Sequence, residues 1–392
     1  MTLRICMLST SFPKNESDTS GKFVYDLARL LVTHQVCVVV VSPQDAQSIP
    51  RTMIKGVHIC RFAYWWPRKW QTVIRGEEDL LDMLRSTWLA KVQLPIFLLV
   101  FMLQSIRISR QADIIHAHWS PTALIGWLAA RLWNKPLVLT VHGSDLRLFP
   151  DWFSKFILNC VDAVIAPSAE MLNRVRQLGR ADGHLIALPI DETRFCSDVD
   201  VRAVQTELGL DLSKPVVTFI ARLHPFKDPL TLIKAIPLVL QHQDVSFLIV
   251  GDGPLRNRVQ DAIQTLQVAD HTYVLGSRQD VHKILKLSTL FIALSPVENV
   301  WSMTITEAMF MNIPCIMTRA GKTEFVFTHL RNAYLIEPEN SQALADAIMN
   351  LLADAPLREK LVQGAHKLLA QYHRDSSSIV NQMIAVYRSV LR

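Results

Sequence analysis

Short runs of apolar, often β-branched residues recur through the first half of the chain, and segments with apolar residues at helical spacing lie between them. The run Leu3–Ser9 is followed by a helical pattern over Gly21–Thr33, and a second apolar run follows at Gln35–Ser42. This β-α-β alternation is typical of a parallel sheet whose crossover connections are helices. Three further runs predict strands of the same sheet, at Asp113–His118, Leu137–Val141 and Ala163–Ala166.

The same architecture begins again after a polar, helix-like stretch at Phe195–Pro215. Because 392 residues are too many for one hydrophobic core, we expect two α/β domains, covering residues 1–195 and 196–375. The final segment, 376–392, begins with serines that offer a helix cap and continues with apolar residues at helical spacing, which predicts a C-terminal helix. The apolar runs of the second domain predict strands at Val216–Ala221, Ser246–Val250, Thr272–Leu275, Leu290–Leu294 and Cys315–Thr318.

The stretch between His58 and Trp88 is rich in aromatic and basic residues. Tyr64, Trp65 and Trp66 are adjacent, and the basic residues around them are Arg61, Arg68, Lys69 and Arg75. Tryptophan rings favour membrane–water interfaces and cationic side chains attract anionic headgroups, so this stretch predicts a surface for membrane contact. The apolar run that follows, Leu94–Leu103, is about half as long as a spanning helix needs to be. It predicts either a buried helix or an interfacial one.

The charge of the chain is unevenly distributed. The formal net charge is +6; residues 1–195 hold 22 Lys and Arg against 16 Asp and Glu, and the remainder holds 19 of each. A basic half is typical of proteins that bind nucleic acid, an anionic membrane or an anionic substrate, and the lack of a zinc-finger or RNA-binding signature disfavours nucleic acid. The six cysteines are scattered without a C-x-x-C pair, as in a reduced cytosolic protein, and the N-terminus lacks the pattern of a signal peptide.

Polar side chains cluster where the predicted strands end. His116 and His118 close one strand, and His142 and Asp145 follow the next one. In the second domain, Glu298 and Asn299 follow an apolar run, a helical pattern begins near Met303, and Glu307 lies about one turn into that helix. Ligands of open α/β sheets bind outside the carboxyl ends of the strands, and carboxylates accept hydrogen bonds from sugar hydroxyls. The pattern therefore predicts a site for a polyhydroxylated ligand at the loop of Glu298 and Glu307, and a functional crevice faced by the histidines of the first domain. The triplet of Asp198 and Asp200 lies in the linker and is interpreted as solvated charge rather than a metal site.

Taken together, the motifs resemble the retaining glycosyltransferases of family four. Those in the second half are RLHPFKDP, VGDGP, LGSRQDV, SPVEN with TITEAMFMNIPCI, and AGKTEF; those in the first half are SFP with SGKFVYDLARLL, HAHW and TVHGSD. Their order and spacing cover nearly the whole chain. The resemblance implies the GT-B fold, in which two facing Rossmann-like domains with parallel sheets enclose an interdomain active-site cleft, and we expect the C-terminal helix to pack back on the N-terminal domain.

The resemblance also implies roles for individual residues. Arg222 and Lys227 would neutralise the pyrophosphate of the leaving nucleotide, so that neither a metal nor another cofactor is required, and Glu307 would accept hydrogen bonds from the ribose. His118 would lie near the reacting sugar, with His142 and Asp145 on the acceptor side. The catalytic set is completed by Glu298. The remaining donor-binding residues would be Gly21, Gly276, Asn299, Ser302, Met303 and Thr304.

The sequence departs from the family pattern in four places. The family separates its two glutamates by seven residues, whereas eight lie between Glu298 and Glu307, so either Glu298 or Asn299 contacts the donor sugar. The glycines usual in this loop are replaced by Val300, Trp301 and Ser302. Ala320 stands where the family commonly has a glycine, and the turn LPIDETRF lacks the usual asparagine–glycine pair.

We therefore expect a cytoplasmic enzyme, peripheral on the inner face of the membrane, that transfers a sugar with retention from a nucleotide-diphosphate sugar to a hydroxyl of a glycan or lipid-linked acceptor. This reaction would serve glycolipid, lipid-linked glycan or polysaccharide synthesis, with no nucleic acid partner. Two alternatives remain open: a non-catalytic protein that binds nucleotide sugars, and a GT-B epimerase.

Overall fold

The structure is a computed structural model, and it divides the chain into two compact units. Unit 1 comprises Met1–Ile190 and His373–Arg392, and unit 2 comprises Asp191–Tyr372. The residues that the structure describes are 2–14, 18, 21–45, 48–73, 87–143, 146, 149–191, 194–195, 199–297, 302–321, 323–372 and 376–391.

Unit 1 contains sheet A, whose strands follow the spatial order β3-β4-β2-β1-β5-β6-β7-β8. Neighbouring strands are parallel, except that β3 and β4 form an antiparallel hairpin. Most central strand residues are buried on both faces, as expected for a sheet covered by helices on either side. The strands are β1 (Arg4–Leu8), β2 (Cys37–Pro43), β3 (Arg51–Ile54), β4 (Val57–Phe62), β5 (Ile114–His118), β6 (Leu137–Thr140), β7 (Ala163–Ala166) and β8 (His184–Leu185).

Helices cover both faces of sheet A. On one face lie α1 (Lys22–Thr33) and the C-terminal helix α13 (Ser376–Val390), which share a core with the strands. Ser376 donates a hydrogen bond from its hydroxyl to the carbonyl of Ile190, 2.6 Å away, at the start of α13. The helices on the other face are α2 (Trp88–Ser109), α3 (Ser120–Trp133), α4 (Asp151–Asn159) and α5 (Ala169–Gln177).

Unit 2 contains sheet B, which is parallel throughout and has the strand order β11-β10-β9-β12-β13-β14. Its strands are β9 (Val216–Ile220), β10 (Ser246–Val250), β11 (Thr272–Gly276), β12 (Leu290–Ala293), β13 (Cys315–Thr318) and β14 (Tyr334–Ile336). Its helices are α6 (Arg202–Leu208), α7 (Pro229–Leu240), α8 (Arg256–Thr265), α9 (Val281–Leu287), α10 (Met303–Phe310), α11 (Ser341–Ala353) and α12 (Ala355–Tyr372).

Each sheet has one point at which the direction of strand addition reverses. In sheet A the chain adds strands on one side of β1 and later returns to place β5 on its other side. In sheet B the same reversal separates β9 from β12. A crevice opens outside the carboxyl ends of the strands at such a reversal, and ligands of open α/β sheets bind there.

The structure corrects the interpretation of the aromatic and basic stretch. Tyr64 and Arg61 are buried rather than on a joint surface with Trp66. Arg61 donates a hydrogen bond of 2.5 Å from Nη2 to the carbonyl of Pro13. The following helix, α2, is longer than the predicted apolar run, and it is neither fully buried nor fully exposed.

Candidate functional site

Three histidines, His116, His118 and His142, lie together at the carboxyl edge of sheet A, beside the reversal between β1 and β5. We refer to them as the histidine cluster. The rings of His118 and His142 are stacked, with centroids 5.3 Å apart, and His118 Nδ1 lies 3.1 Å from His142 Nε2. Among the described atoms, His118 Nε2 is buried and has no hydrogen-bond partner. A buried nitrogen without a partner costs free energy, so this atom is suited to a ligand.

His116 lies beneath this pair and is fixed on both sides. Its Nε2 is 2.7 Å from the hydroxyl of Thr140, and its Nδ1 is 2.7 Å from the hydroxyl of Tyr387 on α13. Its ring lies 4.4 Å from that of His118, centroid to centroid. The C-terminal helix therefore supports the histidine cluster from below.

All three histidines are held uncharged by their surroundings. Burial lowers the pKa of His116 to about 3, and burial together with the neighbouring His116 lowers the pKa of His142 to about 3. Burial and then the two neighbouring rings lower the pKa of His118 well below its ordinary value. At neutral pH each ring therefore has one N–H donor and one acceptor nitrogen.

The backbone beside the histidine cluster is strained. Trp119 has a φ of 69°, which L-residues rarely adopt, and its ring lies 4.6 Å from that of His142. Phe23, on α1, packs 4.9 Å from the same histidine ring. Gly21 has a φ of 63° and precedes α1; a Cβ there would lie 2.2 Å from the carbonyl oxygen of Ser11. Glycine is therefore required at position 21 because the backbone of Ser11 lies close to it. The donor contact predicted for Gly21 stays a prediction.

In unit 2, Arg222 and Lys227 lie in the turn that follows β9. Both are half-buried, and Lys227 ends a short 3-10 helix, Pro225–Lys227, in which the N–H of Phe226 donates to Nδ1 of His224 at 3.3 Å. Asp228 follows with a φ of 42° and is the N-cap residue of α7. The turn is therefore held in a defined shape, which allows a planar guanidinium and a point charge to be presented to one anion.

The turn after β10 packs directly against the turn of Arg222. The N–H of Leu223 donates to the carbonyl of Asp252 at 2.9 Å, and the N–H of Leu255 donates back to the carbonyl of Leu223 at 2.9 Å. Gly251 has a φ of 130°, and a Cβ there would lie 1.9 Å from the carbonyl oxygen of Ala221. The first glycine of the GDGP motif, Gly251, is therefore needed for the contact between the two neighbouring turns.

Gly276 ends β11 with a φ of 66°, and its carbonyl accepts a hydrogen bond of 2.8 Å from the N–H of Gly251. Two residues later, Arg278 forms ion pairs with Glu207 and Asp280, which raise the pKa of its guanidinium. The predicted donor residue Gly276 thus lies at the same edge of sheet B as Arg222, two strands away.

On the other side of the reversal in sheet B, helix α10 begins at the predicted donor loop. Ser302 caps it by accepting a hydrogen bond of 3.4 Å from the N–H of Ile305, and its hydroxyl lies 3.0 Å from that of Thr304. Met303 is the first helical residue, and Glu307 is half-buried on the second turn. The first N–H groups of a helix favour an anion.

Three predicted site residues, Glu298, Asn299 and Asp145, lie outside the described residues. The structure brings the other unit 1 candidates together around the histidine cluster and the other unit 2 candidates to the edge of sheet B. Sequence reasoning missed the contacts of Tyr387 and Thr140 with His116. No local signal could have found Tyr387, because 271 positions separate it from His116.

In the described part of the chain, no group of three or more His, Cys, Asp or Glu side chains is arranged to hold a metal ion. The metal independence implied by the resemblance stays a prediction.

Each half of the chain matches a family model of glycosyltransferases. Residues 20–194 match the family model Glycosyltransferase Family 4, and residues 200–368 match Glycosyl transferases group 1. The N-acetyl-alpha-D-glucosaminyl L-malate synthase of Bacillus anthracis is 28% identical over 290 residues, which cover 71% of this chain and 75% of that protein. The UDP-Gal:alpha-D-GlcNAc-diphosphoundecaprenol alpha-1,3-galactosyltransferase of Escherichia coli is 28% identical over 276 residues, which cover 64% of this chain and 71% of that protein.

Solved structures of similar fold cover the chain almost completely. HepE of Anabaena, solved with UDP and glucose, has a TM-score of 0.75 at 20% identity, over 99% of this chain and 100% of that one. The sucrose-phosphate synthase of Thermosynechococcus elongatus has a TM-score of 0.78 at 19% identity, over 99% of each chain. These likenesses confirm the predicted GT-B fold. The two family matches together cover most of the chain, and they show that it belongs to the family 4 glycosyltransferases.

Proposed function

We propose that this glycosyltransferase moves a sugar from a nucleotide-diphosphate sugar to a hydroxyl of a glycan or lipid-linked acceptor, with retention and without a metal ion. The observation that carries the proposal is the pair of anion-binding elements beside the reversal in sheet B. The turn with Arg222 and Lys227 follows β9, and the N-terminus of α10 follows its neighbour β12. One diphosphate bound in this crevice would meet cations from one strand end and helix N–H groups from the other.

The named relatives support the choice of substrates. The relative from Escherichia coli is named for a UDP-sugar donor and an acceptor linked through a diphosphate to undecaprenol. Another, from Bacillus subtilis, is named as a putative teichuronic acid biosynthesis glycosyltransferase. Both names describe sugar transfer in glycolipid or polysaccharide synthesis, which is the class of reaction that we propose here.

The chemistry assigns separate tasks to the two units. The transition state of glycosyl transfer carries positive charge on the sugar and negative charge on the leaving phosphate. Arg222, Lys227 and the N–H groups near Ser302 and Thr304 would stabilise the second charge, while Glu307 would accept hydrogen bonds from the ribose. His118, neutral and with a free Nε2, would hydrogen-bond the reacting sugar without adding a cation beside the developing positive charge. The leaving phosphate would assist deprotonation of the acceptor on the same face, which gives retention.

Arg222→Ala and Lys227→Ala test the proposal directly. Each should lower the turnover of sugar transfer by about a hundredfold or more, because a preorganised charge contact to the transition state is lost. The donor is identified first, by screening nucleotide sugars for the one that raises the unfolding temperature of the purified chain. Arg258→Ala, an exposed arginine on α8, is the matched control and should leave turnover unchanged.

Three outcomes would contradict the proposal. Full turnover in both variants would exclude the diphosphate role of the turn. Donor binding in the absence of both transfer and donor hydrolysis would favour the non-catalytic alternative, and conversion of the donor without an acceptor would favour an epimerase.

The register of the donor loop is a separate question. Turnover of Glu298→Ala and Asn299→Ala, measured side by side, decides which residue contacts the donor sugar. Substitution of the contacting residue should lower turnover about a hundredfold, and substitution of the other residue should change turnover little. Equal and small losses would show that neither residue contacts the donor.

A further inference from the structure

Helix α2 is apolar on all of its sides, although only one narrow stripe of it is buried. The buried residues that form this stripe recur every three or four positions. They include Phe97 and Phe101, which pack into the core of unit 1. By length and composition the helix could cross a membrane. It lies along sheet A instead, because its buried stripe is part of the core beside β1 and β5. A helix that is apolar all round requires cover on its outer side as well.

The outer sides of three neighbouring helices, α2, α3 and α4, all carry exposed apolar side chains. No charged residue lies between Lys91 and Arg107 on α2. The exposed apolar residues recur at helical spacing on each helix. They are Trp88, Val92, Ile96, Leu99 and Leu103 on α2, with Leu98 beside them, Leu124, Leu128 and Leu132 on α3, and Trp152 and Phe156 on α4.

These side chains belong to one continuous surface, which we call the apolar surface. All three helices cover the same face of sheet A, α2 packs along α3, and α3 contacts α4. The indole N–H of Trp133 on α3 donates a hydrogen bond of 2.7 Å to the carbonyl of Ile106 on α2. Contiguous exposed apolar area of this kind marks an interaction site rather than ordinary protein surface.

Tryptophans are concentrated at one end of the apolar surface. Trp88 and Trp152 are 74% and 71% exposed and lie in the first turns of their helices. In a parallel α/β unit the helices begin at the edge where the strands end, which here is the edge of the histidine cluster. Trp66, 86% exposed, extends this end, because its segment is attached to α2 by the hydrogen bond from Gln93 Nε2 to the carbonyl of Trp70.

The charged side chains that the structure describes on these three helices are mostly basic. Among the described residues of α2, α3 and α4, the only acidic side chain is Asp151, which is paired with Arg174 of α5. Exposed cations lie on the same three helices or directly after them: Lys91, Arg107, Arg110, Arg131 and Lys155. An apolar face with tryptophans at its edge and a basic rim matches an anionic lipid surface, in which acyl chains lie below charged headgroups.

We propose that the apolar surface docks on a membrane containing anionic lipid, with α2, α3 and α4 lying against the headgroup region. The docking itself does not depend on the reaction that the chain performs. One consequence does rest on the proposed function: the tryptophan end would hold the histidine cluster close to the membrane, where a lipid-linked acceptor is presented.

Vesicle co-sedimentation of the full chain tests the docking. The vesicles contain either phosphatidylcholine alone or equal parts of phosphatidylcholine and phosphatidylglycerol. We expect binding to the anionic vesicles, and we expect Leu99→Glu and Leu128→Glu each to weaken it by about tenfold or more, because a charge is placed in the apolar contact. Leu99 and Leu128 are 50% and 40% exposed, and glutamate keeps good helix propensity, so both variants should fold.

Leu212→Glu is the matched control, because Leu212 is 46% exposed in unit 2, and it should bind vesicles as the unchanged chain does. Changing Lys91, Arg107 and Arg131 together to glutamine should remove the preference for anionic vesicles and reduce the effect of salt on binding. The nucleotide sugar identified above should raise the unfolding temperature by the same amount in all variants. An unchanged rise shows that donor binding is intact, so failure of docking is separated from failure of the proposed function.

Three results would overturn the proposal. The first is no binding of the unchanged chain to either kind of vesicle. The second is equal loss of binding in Leu99→Glu and Leu212→Glu. The third is a dimer that Leu99→Glu converts to a monomer while vesicle binding is absent, because a second copy of the chain would then cover the apolar surface.

Discussion

At the residue scale, the histidine cluster depends on a side chain from the far end of the chain. His116 carries no free hydrogen-bonding nitrogen, because Thr140 and Tyr387 occupy both of them. It thereby provides a fixed surface on which the ring of His118 packs, 4.4 Å away. His116 and Tyr387 are thus positioning residues for His118, whose buried Nε2 is the group left for a ligand.

Tyr387→Phe removes a single hydroxyl and leaves His116 Nδ1 buried without a partner. We expect this to destabilise unit 1 by about 1–3 kcal/mol, the cost of an unsatisfied buried polar group. Circular dichroism during urea unfolding measures the loss in either unit, and tryptophan fluorescence assigns the loss of Tyr387→Phe to unit 1, because eight of the nine tryptophans lie in it. Tyr334→Phe is the control, because the hydroxyl of Tyr334 accepts an exposed hydrogen bond of 3.3 Å from Asn350. This change should lower the free energy of unfolding by less than about 1 kcal/mol. Equal effects of the two changes would contradict the role of Tyr387.

At the element scale, two turns of sheet B form one rigid platform for the proposed diphosphate site. Backbone hydrogen bonds join the turn after β9 to the turn after β10 in both directions. Gly251 allows the two backbones to approach, because the position of its missing Cβ is occupied by the carbonyl of Ala221. The geometry of Arg222 therefore depends on a glycine in another turn.

Gly251→Ala should accordingly destabilise unit 2 and weaken donor binding. We expect a loss of about 3 kcal/mol or more in unfolding free energy, from both the disallowed φ and the clash. Gly209→Ala is the matched control: its φ is also positive, at 63°, but nothing lies within 4 Å of the added Cβ. Gly209→Ala should lower the free energy of unfolding by only about 1 kcal/mol. Circular dichroism during urea unfolding measures both losses, and a smaller loss at Gly251 than at Gly209 would contradict the proposed platform.

At the scale of the whole molecule, the chain forms two units that each have a sheet with one strand-order reversal. The last segment returns to unit 1, where α13 shares a core with α1 and sheet A. Unit 1 therefore cannot complete the histidine cluster until its last twenty residues are in place. Its stability is also linked to pH through the buried histidines of this cluster.

The sign of this linkage follows from His116, whose pKa falls from 6.5 to about 3 on burial. Above pH 6.5 the neutral ring is present in both folded and unfolded states, so the stabilisation is complete. As the pH falls from about 6.5 towards 3, the unfolded state binds a proton at this position that the folded state does not bind, and His116 by itself contributes a loss of up to about 1.4 kcal/mol per pH unit. His118 and His142, whose pKa values are also lowered by burial, add to this slope. Urea unfolding followed by tryptophan fluorescence between pH 7 and pH 5 should show this slope. His116→Gln should reduce it, and an unchanged slope in that variant would refute the linkage.

Much of the architecture was predictable from local pattern. The apolar runs that predicted strands such as β1, β5, β9 and β12 are present, because strands buried on both faces must be apolar throughout. The hairpin of β3 and β4 was missed. It lies at the edge of sheet A, where half of the β3 side chains are exposed and the apolar signal is weak, and its turn at Lys55 and Gly56 was not recognised.

Periodicity and motifs a few residues long are enough to predict the two-sheet α/β fold, the family, and the positions of His118, Arg222 and Glu307 at or just after the strand ends. The folded structure was needed to show that Tyr387 supports His116, that Gly251 is needed by the turn of Arg222, and that α2 is buried on one side and exposed on the other. Each of these depends on which segments distant in sequence are brought into contact. The pattern within a single segment does not contain that information.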